Sequence, residues 1–209
     1  MTEQELYHYG VKGMKWGVRK KKPLVGDTDD AIIKKGTKVT RVSYHKDDKT
    51  FDNKKYVSLN KKDHKKWEKE IGKPMSQRGV KTYNISYLTT KDIKVASATQ
   101  VGKKYVEMIK NNEKLYKQSE KDANDLFVTP NTSYGHKQIT WGVEASVNVA
   151  FQTKTGKAFV DYLMKEGYDA MSDIHGRNTS EDPIVIFNPD SKLKQEGEAK
   201  RTKYSKRLG

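Results

Sequence analysis

The sequence predicts an α+β fold: a single mixed or antiparallel β domain with flanking helices and basic, flexible termini. Three observations predict it. Runs in which every second residue is apolar alternate along the chain with runs of helical spacing. The 209 residues suffice for one domain of about 150 residues with tails. Only 33% of residues are apolar, below the roughly 45–50% of ordinary soluble domains, which suits one compact core with solvated margins.

The elements follow in order. Residues 36–44 (GTKVTRVSY) are β-rich, with Thr37, Val39, Arg41 and Ser43 on one face. Residues 47–53 are a polar turn. Residues 56–59 form a short strand, Tyr56 and Ser58 facing one way and Val57 and Leu59 the other. Asn60 is an N-cap for a helix over 61–71, whose His64, Trp67 and Ile71 share a stripe and which Gly72 and Pro74 stop. Residues 80–88 are a strand in which Tyr83, Ile85 and Tyr87 alternate with polar residues, and Ile93 and Val95 mark a shorter one. Residues 101–117 have the clearest helical spacing, and 119–140 read as a polar loop. A strand is expected over 143–151, around Val147, Val149 and Phe151. A helix over 157–166 ends at Gly167, which suits a left-handed cap. A short strand over 168–171 follows. Residues 184–187 (IVIF) are the most apolar strand, expected to be central, and Asn188-Pro189 closes it.

Composition excludes several function classes. The chain has no cysteine, hence no disulfide framework, zinc finger or thiol nucleophile. No apolar run approaches the roughly 18–20 residues that cross a bilayer, so no membrane partner is expected. The first residues lack the pattern of a secretory signal. No GxGxxG, Walker loop or HExxH occurs. Asp173 and His175 make at most two ligands, so no metal is expected. His136 also falls in a loop, and His64 reads as a packing histidine.

The net charge is +15, from 42 Lys/Arg against 27 Asp/Glu. Residues 1–22 hold six Lys/Arg against Glu3 and Glu5, and residues 190–209 hold seven against three acids. The ends are therefore more basic than the middle. A polyanionic partner and a solubility device both fit this surplus. Four regions result: a peptide over 1–22, a linker over 23–33, a domain over 34–195 and a basic tail over 196–209.

The first region is neither helix nor linker. Tyr7, His8, Tyr9, Met14 and Trp16 stand among Gly10, Gly13 and Gly17. Glycines this dense oppose a helix, and aromatics this dense are unlike a linker. It reads as a recognition peptide that docks its aromatics. The stretch HYGVKGMKWGVRK, residues 8–20, resembles a segment recurring in tailed-phage head and virion-associated proteins of Gram-positive hosts. That resemblance implies head or virion proteins as partners, reached through His8, Tyr9, Met14 and Trp16. It implies a virion or host-cytoplasm location.

Residues 34–195 resemble ADP-ribosyltransferase-like domains of phages and toxins. GTKVTRVSY is similar to the first strand of such domains, where an arginine, here Arg41, contacts the NAD phosphates. KYVSLNKKD is similar to the second motif, a strand ending near a serine, here Ser58. SEDPIVIFNPDSKLK is similar to the last motif, which makes Glu181 the acid, with Asp182 and Asp173 as competitors for that role. NAD is then a substrate. Its cleavage passes through an oxocarbenium-like state that a carboxylate stabilises. A guanidinium grips pyrophosphate in a bidentate manner. Tyr56, Tyr87 and Tyr105 are tyrosines available to stack on nicotinamide. Plainer readings stand beside these: Arg41 on a solvated strand face, Ser58 as a strand-end hydroxyl, Glu181 as a turn residue before Pro183. A non-catalytic head protein that binds DNA or other head proteins through basic tails is the alternative function, and the modified host macromolecule is unspecified. Deleting residues 1–22 is expected to leave the melting temperature within about 2 °C of the full chain; a drop of about 8 °C or more would place those aromatics in the core.

Overall fold

Pleat alternation sorts the strands of this chain into two sheets, and the register shows how. The computed structural model describes residues 29–46, 54–127, 154–172 and 184–205. Strands β1 (Ala31–Ile33), β5 (Ile93–Ala96), β6 (Ala170–Ser172), β7 (Ile184–Phe187) and β3 (Lys54–Val57) form the larger sheet, in the order β1-β5-β6-β7-β3. The β5–β6 pair is parallel and the others are antiparallel. Strands β2 (Lys38–Ser43), β4 (Tyr83–Thr89) and β8 (Leu193–Gln195) form the smaller sheet, and β9 (Lys200–Arg201) pairs with β4. The fold is α+β, with mixed pairing.

Each sheet turns one face to the other. Ile33, Val57, Val95 and Ile186 of the larger sheet meet Val39, Ile85, Tyr87 and Leu193 of the smaller in one apolar cluster. The opposite face of the larger sheet places Ala96, Met171, Val185 and Phe187 under helices α3 (Ala98–Lys110) and α5 (Lys154–Lys165). Tyr105 and Phe159 meet edge to face there, with centroids 5.1 Å apart. Covering on both faces explains why all four residues of β7 are buried and why IVIF has no polar alternation. Full burial of each such side chain contributes about 1.5–3 kcal/mol. β7 is an interior strand, second from the β3 edge rather than in the middle of the sheet.

Several expectations are corrected. The helix starting after Asn60 does not stop at Gly72. Asn60 Oδ1 accepts from Asp63 N (2.8 Å), α1 (Lys61–Trp67) passes into a π-helical turn (Glu68–Gly72), and α2 (Lys73–Gln77) continues it. Pro74 is tolerated because it sits in the first turn of α2, where a missing N–H costs little. Gly72 is there for close approach: a Cβ would meet Tyr204 Cδ2 at 3.3 Å and the Thr82 and Thr202 hydroxyls at 3.4 Å.

The helix expected over 101–117 is two helices. α3 ends at Asn111, and Asn112 Oδ1 accepts from Leu115 N (3.0 Å) to start α4 (Glu113–Phe127). α4 runs into the stretch read as a polar loop, and near its start Leu115 and Tyr116 pack on the core. Gly167 adopts φ 83 after α5, as its position required. The strand expected over 143–151 lies outside the described residues.

Both domain boundaries shift. β1 lies inside the stretch read as a linker, and Asp30 accepts from Ser97 N (3.0 Å) and from the Tyr168 hydroxyl (2.7 Å). Burial and that bond to Asp30 push Tyr168 up to about 12. At the other end, residues 200–205 are part of the fold rather than a tail. Thr82 Oγ1 lies 2.7 Å from Thr202 Oγ1 and 2.9 Å from Ser205 Oγ, and Thr82 N donates to Ser205 Oγ at 2.7 Å. All three side chains are buried, so each hydroxyl depends on the others. Thr82→Val is therefore expected to cost about 1–3 kcal/mol in urea unfolding, since it leaves two buried hydroxyls short of a partner. A loss below about 0.5 kcal/mol would show that the segment is not held by this cluster.

Candidate functional site

Besides packing face to face, the two sheets are joined by a backbone bridge at one corner. Thr40 N donates to Ser58 O at 3.0 Å and Ser58 N donates to Thr40 O at 2.7 Å. This isolated bridge ties β2 of the smaller sheet to the end of β3 in the larger one. Arg41 follows Thr40. On the other side of β3, Val57 pairs with Ile184 at the start of β7. The strands carrying the three motifs, β2, β3 and β7, thus lie side by side. Glu181, Asp182 and Asp173 themselves lie outside the described residues, as do His8, Tyr9, Met14, Trp16, His136 and His175.

The described candidates differ in accessibility. Arg41 pairs with Ile85, so the pleat puts its side chain on the same face as Val39 and Tyr87, toward the larger sheet. It is half-buried. Ser58 shares its pleat face with Thr40, opposite to Arg41. Its backbone is adjacent to the arginine, but its hydroxyl leaves the corner on the other face. Ser58 is 1% exposed, and its hydroxyl has no hydrogen-bond partner among the described residues. Tyr56 is half-buried with its ring 6.3 Å from that of Trp67, edge to face.

Tyr87, a stacking candidate by sequence, is buried. It is 3% exposed within the inter-sheet cluster, and Lys55 Nζ sits over its ring at 4.8 Å from the centroid. The same period of two that carries Ile85 inward carries Tyr87 inward, which leaves no open ring face for a nicotinamide. Tyr105, on the inner side of α3, is likewise wholly buried, against Phe159.

Lys55 was missed. Its ammonium is buried between the sheets, over the Tyr87 ring and 3.9 Å from Asp190 Oδ1. The signal was present: Lys55 is two residues before Val57, so alternation sends both to the core face. Lys192 was missed for a different reason. It is buried, donates to Phe187 O at 2.6 Å and pairs with Asp169 Oδ1 at 3.1 Å. Only the left-handed turn at Asn188 (φ 45) and the short helix after it bring Lys192 back under β7. Burial pulls the Lys192 ammonium below its ordinary value, opposed by Asp169. Burial raises Asp169, but hydrogen bonds from Lys91, Lys94 N and Lys192 outweigh it and hold the carboxyl low. This cluster pins the β7–β8 turn to the end of β5.

On the outer face of the smaller sheet, Asn84 Nδ2 donates to Glu68 Oε1 (3.1 Å), and Lys203 N donates to the same oxygen (2.7 Å). Asn84 Oδ1 must then accept from His64 Nε2–H, 3.1 Å away. The lone pair of His64 is therefore on Nδ1, buried without a partner among the described residues. Protonation there is opposed by burial and only partly favoured by Glu68 and Asp63, which holds His64 below 6.5.

Elsewhere, an open groove of about 450 Å³ beside α3 and α5 has a mixed lining that includes Glu107, Asn111, Asp161, Tyr162 and Lys165. Among the described residues no three acidic or histidine side chains are grouped to hold a metal ion. No helix among them is long and apolar enough to cross a membrane.

Residues 1–23 match a family of unknown function, DUF7211. The match ends one residue past the peptide set apart by its aromatics and glycines. No curated protein and no solved structure matches the chain.

The His64 arrangement has a pH consequence. The unfolded chain takes up the proton more readily than the folded one, so His64 costs nothing above about pH 6.5 and destabilises as pH falls below it. The melting temperature is expected to fall between pH 7 and pH 5 more steeply in the native chain than in His64→Gln. Parallel curves would show that His64 is not the group responsible.

Proposed function

We propose that this chain is a phage virion-associated protein whose folded part is an ADP-ribosyltransferase-like domain, using NAD to modify a host macromolecule. In this reading Arg41 grips the pyrophosphate and Glu181 stabilises the oxocarbenium-like ribose. Residues 8–20 dock the chain on head proteins through His8, Tyr9, Met14 and Trp16.

The observation that carries the enzyme reading is the lateral order of β2, β3 and β7. The Thr40–Ser58 bridge and the Val57–Ile184 pair gather the strands of three motifs that lie far apart in sequence. The buried Ser58 hydroxyl, without a partner among the described residues, fits a bracing role better than direct contact with ribose. Tyr56 remains a stacking candidate, since it keeps partial exposure beside Trp67.

A second reading, a non-catalytic head component, is favoured by one specific observation: Ser58 and Tyr87 are both buried.

Calorimetric titration with NAD and labelling of host lysate with labelled NAD separate the two. The enzyme reading expects Arg41→Ala to weaken NAD binding at least about tenfold, roughly the loss of one charge-assisted contact. It expects Glu181→Ala to abolish labelling while NAD still binds. Equal labelling by native protein and Glu181→Ala, or no heat with NAD, rejects the enzyme. Salt-sensitive DNA binding without NAD binding supports the second reading.

A further inference from the structure

We propose that the solvent side of the helical segment over residues 61–77 is a docking surface for the phosphate backbone of duplex nucleic acid. The proposal stands whether or not the domain uses NAD.

Lys61, Lys65, Lys69 and Lys73 recur every four residues, and all four are exposed. Asp63, Trp67, Glu68 and Gly72 are the buried row, turned toward the sheet. In a regular helix a four-residue step overshoots a full turn by about 40°. The π-helical turn over Glu68–Gly72 holds more residues per turn, so the overshoot is checked midway and the row stays on one side. The four lysines span twelve residues, about 18 Å at 1.5 Å per residue, over which one strand of a duplex presents about five phosphates.

Two further features point to a polyanion. None of the four ammonium groups is held by an acid among the described residues, whereas Lys34, Lys38, Lys104 and Lys117 are each held in an ion pair. Of the three acids between residues 61 and 81, Asp63 and Glu68 are buried and only Glu70 faces solvent. Lys62, Arg78 and Lys81 add exposed positive charge to the same segment, and Lys203 is brought beside it through the bond of its N–H to Glu68.

The surface favours a duplex over other anions. Trp67 is buried and Tyr204 lies under its own neighbour Lys203, so no open aromatic face is offered to unstacked bases. Val80 is the one exposed large apolar residue of the described segment, too little to enter a bilayer. Contact through phosphates alone carries no sequence information.

The full chain is titrated by fluorescence anisotropy with two unrelated duplexes of about 30 base pairs over a range of salt. The stripe variant replaces Lys61, Lys65, Lys69 and Lys73 by Gln. A control replaces the exposed Lys110, Lys114, Lys157 and Lys165 by Gln, with the same change in net charge. The native chain is expected to bind both duplexes alike. The stripe variant is expected to bind at least about tenfold more weakly, with the log–log salt slope shallower by about 3.6, given a slope near 0.9 for each of four phosphate contacts. The control and a stripe variant with Arg instead of Gln are expected to stay within about threefold of native binding. Circular dichroism melting checks that the variants fold, and the Arg variant keeps the comparison decisive if Gln weakens the helix. Equal losses in the stripe and control variants would reduce the effect to net charge and overturn the proposal. So would absence of duplex binding, tighter binding to a single strand, or binding only to phosphatidylserine vesicles.

Discussion

Two backbone hydrogen bonds between Thr40 and Ser58 hold the edge of one sheet to the edge of the other, and the arrangement of this protein follows from that corner. It adds a backbone tie to the short connections over residues 34–37 and 90–92 that run between the sheets. With it, β3 belongs to one sheet along Lys54–Val57 and touches the other at its next residue. The inner faces are then fixed by pleat: Val39, Ile85 and Tyr87 meet Val57, Ile186 and Val95. Arg41, on the same face as Val39, is carried to the margin of the apolar layer, where a guanidinium can keep its head near water.

The inter-sheet layer tolerates charge only where partners exist. Lys55 and Lys192 are both buried lysines, and each is surrounded differently. Lys192 has two carbonyl oxygens and Asp169 within reach, which replaces much of the hydration it lost. Lys55 lies over the Tyr87 ring, with Asp190 at 3.9 Å, beyond hydrogen-bond distance. The turn between β7 and β8 supplies a residue to both clusters, so its left-handed Asn188 matters to the core and not only to the turn.

The segment over 61–77 has two sides with different work. Its inner side carries Trp67 against Tyr56 and the chain from His64 through Asn84 to Glu68. Glu68 also receives Lys203 N, so the last described residues are held through this same carboxylate. Its outer side is almost wholly basic. A helix that places two of its three acids inward and most of its lysines outward separates charge by face, which gives the two sides different chemistry from one stretch of sequence.

By itself the sequence determined what depends on neighbours within a few residues. The alternation in Thr37–Ser43 and Tyr83–Tyr87, the Asn60 cap, the Gly167 end of α5 and the apolar IVIF run are all local, and all recur in the fold. The α+β class followed from them. Tertiary structure decided the rest. Pro74 looked like a stop because its ring opposes a helix interior, but the π turn made it a first-turn residue. Residues 200–205 looked like a tail because they are polar, yet their buried hydroxyls are satisfied by Thr82, more than a hundred residues away. Tyr87 looked available because alternation does not say which face is covered; the larger sheet covers it. Nearness of Arg41 to Ser58 was likewise beyond any local pattern, since it rests on pairing between strands whose contact only the folded chain creates.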